Sequence, residues 1–285
     1  MKFGISTYSL HNAYASGELS LEGVIEKIAE LGAEHVEIVP LGYSLVDQPE
    51  LIDVIKTTAE KVGLELSSYA ISANFSGLDD EAFEDEIFRV KKEVEACAKL
   101  GITRMRHDIA KSEDISIGHF LQELPRLVDA CRQIADHAAT FNITTSIENH
   151  GYYVQHSDRV QAIVCEVNRA NFRTTVDIGN FLCADEDPVV AVAKNISLAS
   201  MVHFKDFYIR PSHHLLEEDW FRSSGGKWLR GAILGQGDID IPAILKLVKK
   251  SSYDGYISLE FEGMEECTRG TRLGLQYLKR VWQTI

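Results

Sequence analysis

The stretch ATFNITTSIENHG, residues 139–151, holds the pattern that decides the fold: an amphipathic segment stops at an Asn, and a short run of β-forming residues follows at once. The same succession recurs as AELGAEHVEI at 29–38, AEKVGLELSSY at 59–69 and AKLGITRMRH at 98–107, with Gly in place of Asn. Each is a helix closed by a tight turn that feeds a strand, or half of a βα unit.

Extending the period outward predicts eight strands, near 3–8, 35–39, 65–71, 102–107, 143–148, 173–177, 199–204 and 256–260. Helices fill the intervals, near 20–31, 50–62, 82–99, 118–139, 157–168, 187–196, 240–251 and 267–283. In the first of them Ser20 is placed to cap, Leu21, Val24, Ile25, Ile28 and Leu31 share one face, and Gly32 ends the run. Eight alternations without a linker or a break in composition predict an α/β protein whose residues 1–285 form a single (β/α)8 TIM barrel. A doubly wound open sheet is the alternative. The turn from Thr7 to Ser20 carries no GxGxxG phosphate cradle to support it.

Composition narrows the function. A net charge of −14, from 43 acidic and 29 basic side chains, argues against nucleic acid as a partner, because phosphate neutralisation needs a basic face. The opening MKFGISTYSLHNAYASG lacks the apolar stretch of a secretory signal, and no segment reaches the roughly 18 apolar residues of a membrane span. The expectation is a cytoplasmic protein with no membrane partner. Cys97, Cys131, Cys165, Cys183 and Cys267 are scattered, never spaced as CxxC, and read as small hydrophobes.

One interval breaks the rhythm. Residues 205–238, KDFYIRPSHHLLEEDWFRSSGGKWLRGAILGQGD, read as a long irregular loop after the seventh strand. Its aromatic residues argue against disorder, and its place after a strand puts it on the face where barrels keep their sites. A lid over the substrate is expected.

Chemistry in such a barrel sits at the C-terminal ends of strands. Four consecutive strands end SIE148, TVD177, MVH203 and SLE260, which brings three carboxylates and one imidazole to one mouth. Three acidic groups in one pocket repel each other unless a positive charge compensates them, and a divalent cation supplies it. Oxygen-rich ligation with one imidazole suits Mn²⁺ or Mg²⁺, with Co²⁺ or Zn²⁺ also admissible.

The strand-end sequences IENHG, VDIGNF, VHFKD, GQGDID and LEFEG resemble the xylose isomerase-like barrels, in particular the sugar phosphate isomerase/epimerase group with its ketose 3-epimerases and inosose dehydratases. The resemblance runs from KFGIST to the final helix. It implies one divalent metal, Mn²⁺ foremost, held by Glu148, Asp177, His203 and Glu260, with Glu148 and Glu260 on opposite faces of a bound sugar as acid/base residues.

Two places depart from the ketose 3-epimerase pattern. That pattern has His three residues after the metal Asp, where this chain has Asn180, and Arg six residues beyond the metal His, where it has Ile209 followed by Arg210. Asn180 and Arg210 are the substrate-contact candidates at those places. The related apurinic endonucleases use three zinc ions and further histidines, which the Asn at 180 and the acidic charge both argue against.

Other candidates are His150 and Lys205 as catalytic groups, and His107, Trp220 and Trp228 as substrate contacts. Tyr8 and Asn74 are weaker wall candidates, and Asp206 either orients a ligand or caps a turn. The two tryptophans could instead make a subunit contact in a homo-oligomer. The expected activity is a metal-dependent isomerase or epimerase acting on a small sugar or cyclitol by proton transfer through an enediolate. The alternatives are a lyase or dehydratase acting on an inosose or 3-keto-glycoside through the same enediolate, and a non-catalytic carbohydrate-binding barrel.

Overall fold

Strands β1 (Lys2–Ser6), β2 (His35–Ile38), β3 (Glu65–Ile71), β4 (Arg104–His107), β5 (Thr144–Glu148), β6 (Phe172–Asp177) and β7 (Ala199–Phe204) run parallel. A three-stranded insertion follows, β8 (Asp206–Arg210), β9 (Phe221–Arg222) and β10 (Trp228–Ala232). Then β11 (Tyr256–Leu259) pairs with both β7 and β1 and closes the ring. Around it lie α1 (His11–Ala15), α2 (Leu21–Glu30), α3 (Glu50–Val62), α4 (Asp80–Leu100), α5 (Ile117–Ala139), α6 (Ser157–Val167), α7 (Pro188–Asn195), α8 (Ile241–Lys250) and α9 (Cys267–Thr284). This is the (β/α)8 barrel that the sequence predicts, seen in a computed structural model that describes residues 1–285.

Local chemistry accounts for the helix ends. The Ser20 hydroxyl accepts the Gly23 N–H at 3.1 Å and starts α2, whose Leu21, Val24, Ile25 and Ile28 are all buried. Burying each such aliphatic side chain contributes about 1.5–3 kcal/mol relative to leaving it exposed. Asn142 follows α5 with φ 57°, the left-handed conformation that Asn tolerates and that turns the chain into β5. α1 was not predicted, because five residues between a 3-10 turn and a Gly show no amphipathic period.

Residues 205–238 require a correction. They form a small antiparallel sheet, in which Trp228 opposes Arg210 and Ala232 opposes Asp206. The β-formers of DFYIR and WLRGA are separated by 17 intervening residues, so their pairing left no local signal. The sheet is tied down at two places. Asp206 accepts the backbone N–H groups of Phe207, Gly235 and Gly237 at 2.9, 2.9 and 3.0 Å, which makes it the turn cap of the two earlier readings. A Cβ at Gly237 would collide with that carboxylate. At the far end Asp185 accepts from the Ser223 hydroxyl at 2.9 Å and lies 3.3 Å from Lys227 Nζ.

No helix is long and apolar enough to cross a membrane. Four cysteines are buried and Cys165 is exposed, and all five are free thiols.

Candidate metal centre

Alternation along the barrel strands decides what faces the mouth. In β6 and β7 Asp177 stands opposite His203, and in β11 Ser258 stands opposite His203, which sets Glu260 just beyond. Glu148, Asp177, His203 and Glu260 are buried, and one ligand atom from each falls within 4.8 Å of the others. His203 Nδ1 lies 3.7 Å from Glu148 Oε1, 3.9 Å from Asp177 Oδ2 and 3.7 Å from Glu260 Oε1. An imidazole nitrogen thus looks into the space between three carboxylates.

The donor set fits a divalent cation on one further observation. His203 Nδ1 and Asp177 Oδ2 are sealed from solvent yet make no hydrogen bond. Asp177 commits its other oxygen, Oδ1, to the backbone N–H groups of Gly179 and Asn180, both at 2.8 Å. Asn149 fastens the same strand end, exchanging hydrogen bonds with the Asp177 backbone at 2.8 and 2.9 Å. A buried polar atom without a partner is costly, and His203 Nδ1, aimed at three carboxylates, marks a place built for a further group; Asp177 Oδ2 has only the Lys205 ammonium near it, at 3.2 Å.

Cations of the chain surround the cluster. Arg106 Nε lies 2.6 Å from Glu148 Oε2, and its Nη2 lies 2.8 Å from Asp108 Oδ1. Lys205 Nζ sits 3.2 Å from Asp177 Oδ2, 3.1 Å from Glu260 Oε2 and 3.1 Å from Glu262 Oε1. Burial alone would raise the Glu148 carboxyl, but Arg106 and His203 overcome it and hold it well below the usual carboxylate range. Glu260 is lowered likewise, where Lys205 and His203 outweigh burial. Asp177 goes the other way, to about 7, because burial and the adjacent Glu148 and Glu260 outweigh Lys205. His203 is buried, which would lower it, but Glu37, Glu260 and Glu148 raise it well above an ordinary imidazole.

A cavity of about 170 Å³ opens onto this cluster, lined by Tyr8, Arg106, His150, Lys205 and Glu262 as well as by ligand candidates. His150 Nδ1 lies 3.0 Å from Asp108 Oδ1. Burial lowers the imidazole pKa, and the Asp108 hydrogen bond more than offsets it, leaving His150 raised.

Several candidates are elsewhere. His107 is fully buried on the outer face of β4, its ring 6.2 Å from Phe75 and 6.4 Å from Phe172, because the pleat that points Arg106 inward points its neighbour outward. The expectation of a substrate contact there is corrected. Trp220 and Trp228 are half-buried within the inserted sheet and do not line the cavity; the Arg222 guanidinium stacks 3.4 Å over Trp228, and Arg230 lies 4.9 Å from the Trp220 ring. Arg210 is drawn aside to Asp238 at 3.1 Å. Asn180 is buried and donates to Glu148 Oε1 at 3.0 Å, so it positions a ligand candidate and does not line the cavity. Asn74 holds the Lys111 and Ser76 backbone instead of forming a wall. Of residues 205–238 only Lys205 lines the cavity, and the rest of the segment stands beside the mouth in this conformation.

Arg106 and Glu37 went unnoticed in the sequence. Both were signalled by alternation: in RMRH and HVEI the residues next to them are apolar or outward, which leaves Arg106 and Glu37 facing in.

A closed parallel barrel with a buried Glu/Asp/His/Glu cluster at the C-terminal ends of its strands defines a class of barrels able to bind a metal. The family model described as xylose isomerase-like TIM barrel matches residues 25–281, and the chain belongs to that family. No curated protein matches the chain. Among solved structures it is similar to the IolI protein with a bound zinc atom, at 18% identity over 100% of this chain and 99% of that one, with a TM-score of 0.77. The probable 3-DHS dehydratase AsbF from Bacillus anthracis is 18% identical over 98% and 99% of the two chains, with a TM-score of 0.76. The 3-keto-D-glucoside 4-epimerase YcjR from E. coli is 16% identical over 98% and 99%, with a TM-score of 0.73. At such identities the likeness speaks for the fold.

Proposed function

We propose that the chain is a metal-dependent isomerase or epimerase of a small sugar or cyclitol, with Glu148, Asp177, His203 and Glu260 as ligands. The observation that carries this reading is His203 Nδ1, buried without a hydrogen bond and 3.7–3.9 Å from an oxygen of each of three carboxylates. A divalent cation there, Mn²⁺ foremost, supplies the positive charge that polarises a substrate carbonyl and the hydroxyl beside it.

The side chains around it do the rest. Glu148, ionised under the influence of Arg106 and steadied by Asn180, takes the proton from the carbon next to the carbonyl. On the other face Glu260 lies 3.1 Å from the Lys205 ammonium, which supplies the proton that the carboxylate passes to the ring carbon with inverted configuration. Lys205 places a fixed ammonium where negative charge gathers on the substrate oxygens. Tyr8 and Arg106 bound the cavity and orient the ring.

A second reading, dehydration or cleavage through the same enediolate, has one observation in its favour. His150, paired with Asp108, lines the cavity and is placed to protonate a departing hydroxyl or alkoxide. The likeness to a dehydratase and to a keto-glucoside epimerase supports both chemistries on this fold. Incubating the Mn²⁺-supplemented protein with ketoses, inososes and 3-keto-glycosides in D₂O tests the proposal. Deuterium at the carbon beside the carbonyl is the expected result, in an epimer for the first reading or an eliminated product for the second. Turnover with full retention of the substrate hydrogen overturns both.

A further inference from the structure

The alternation that sends Arg106, Glu148 and Asp177 to the mouth sends Arg104, Thr144 and Arg173 to the opposite end of the same three strands. There a second cavity, about 420 Å³, is lined by these three residues together with Ser197, Ser252 and Tyr253 among others. It lies at the N-terminal ends of the strands and shares no residue with the metal cavity.

Its chemistry is that of an anion receptor. In a chain of net charge −14, neither guanidinium has a carboxylate oxygen within 4.0 Å. Arg104 sits over the Tyr256 ring, its Cζ 4.8 Å from the centroid, and its guanidinium makes no hydrogen bond within the protein. Arg173 gives one N–H to the Ser197 carbonyl at 2.7 Å, which fixes it in turn. Asp254, the one acidic residue of the lining, is 94% exposed and pairs with the chain's own amino terminus at 3.9 Å. The hydroxyls of Thr144, Ser197 and Ser252 line the cavity and donate to no protein acceptor.

Register fixes the reach. Arg104 pairs with Thr144 in β4–β5, and Arg173 pairs with Ser146 in β5–β6. The two arginines therefore start two strands apart, about 10 Å, on the strands flanking β5, Arg104 level with Thr144 and Arg173 level with Ser146. Side chains as long as Arg can close that gap on a single tetrahedral group from two sides, each presenting a two-donor edge.

The geometry points to a phosphoryl-binding site at the closed end of the barrel, taking inorganic phosphate or the phosphate of a small metabolite. The one carboxylate of the lining, Asp254, pairs with the amino terminus, and no imidazole or thiol lines the cavity, so the site binds and does not catalyse.

Calorimetric titration of the 285-residue chain with inorganic phosphate, at ionic strength held constant with chloride, tests this. Saturable binding is expected in the wild type with a chelator present, which keeps the distant cluster free of metal. At least a tenfold loss is expected in Arg104→Gln and in Arg173→Gln. Arg104→Lys and Arg173→Lys, which keep the charge and lose the fork, are expected to fall between, and the exposed Arg272→Gln is expected to match the wild type. Circular dichroism confirms that each variant is folded. Repeating the titration with a hexose phosphate separates the two sources: tighter binding than inorganic phosphate assigns a metabolite, and equal binding assigns the free ion. Absence of wild-type binding, equal affinity in Arg104→Gln and Arg173→Gln, or tighter binding of succinate than of phosphate overturns the proposal.

Discussion

Glu37 Oε2 lies 2.8 Å from His203 Nε2, and both side chains are sealed from water. The carboxylate stands on the Nε2 side of the ring, so that Nδ1 is the nitrogen facing the three acidic ligand candidates. Partners of this kind typically matter 10–100-fold to metal affinity. Glu37→Gln should therefore weaken Mn²⁺ binding by roughly that factor in a chelator competition, with the fold intact. Unchanged affinity would show that the contact serves packing alone.

Removing a ligand is the harsher test. Asp177→Ala and His203→Ala should each lose stoichiometric metal when the purified proteins are assayed by elemental analysis. Metal retained at one equivalent by both would refute the assignment of the cluster.

Arg106 bridges Glu148 and Asp108 from a position almost closed to solvent. Deleting one partner of a buried ion pair leaves the other charge uncompensated, at a cost of about 3–5 kcal/mol. Arg106→Met should lower stability by that order in urea unfolding. Arg106→Met combined with Glu148→Gln should recover part of the loss, because the stranded charge is then gone.

His35 and His107 make stability depend on pH. Burial, the dominant cause for each, depresses both imidazoles to about 4. Between about pH 4 and 6.5 the unfolded chain takes up two protons that the folded chain refuses, so stability declines as pH falls through that window. The loss from pH 7 to pH 5 comes to about 2 kcal/mol per residue. The double variant His35→Asn/His107→Phe should show a flatter profile of urea midpoint against pH; an unaltered slope would contradict the account.

Asp206 holds the neck of the inserted sheet through backbone N–H groups on both sides of it. Hydrogen bonds to a charged group contribute about 1.5–3 kcal/mol, so Asp206→Ala should cost at least that much. Faster hydrogen exchange at Gly235, Gly237 and Ile239 should accompany the loss. Protection as strong as in the wild type would mean that the turn stands without its cap.

The fold was legible because its signals are local: a capped amphipathic helix, a Gly or Asn stop and a β run, repeated round the ring. The Glu/Asp/His/Glu cluster was legible for the related reason that a strand's last inward residue can be counted from its end, as at Glu148, Asp177 and His203. His107 misled because the chemically eye-catching residue of RMRH is one step out of phase with the one that faces the cavity, Arg106. The inserted sheet was not legible, since Trp228 meets Arg210 across a gap in sequence that no periodicity spans. Trp220 and Trp228 suggested sugar stacking, but guanidinium groups of their own sheet occupy or flank their ring faces.

Asp206 and Asp185 together give the inserted sheet the mechanics of a strap buckled at both ends. The strap is anchored beside the cavity, whose rim at Tyr8 and Glu262 it does not contribute to. What a small molecule meets first there is charge, since Lys205 and Glu262 face each other 3.1 Å apart in the lining.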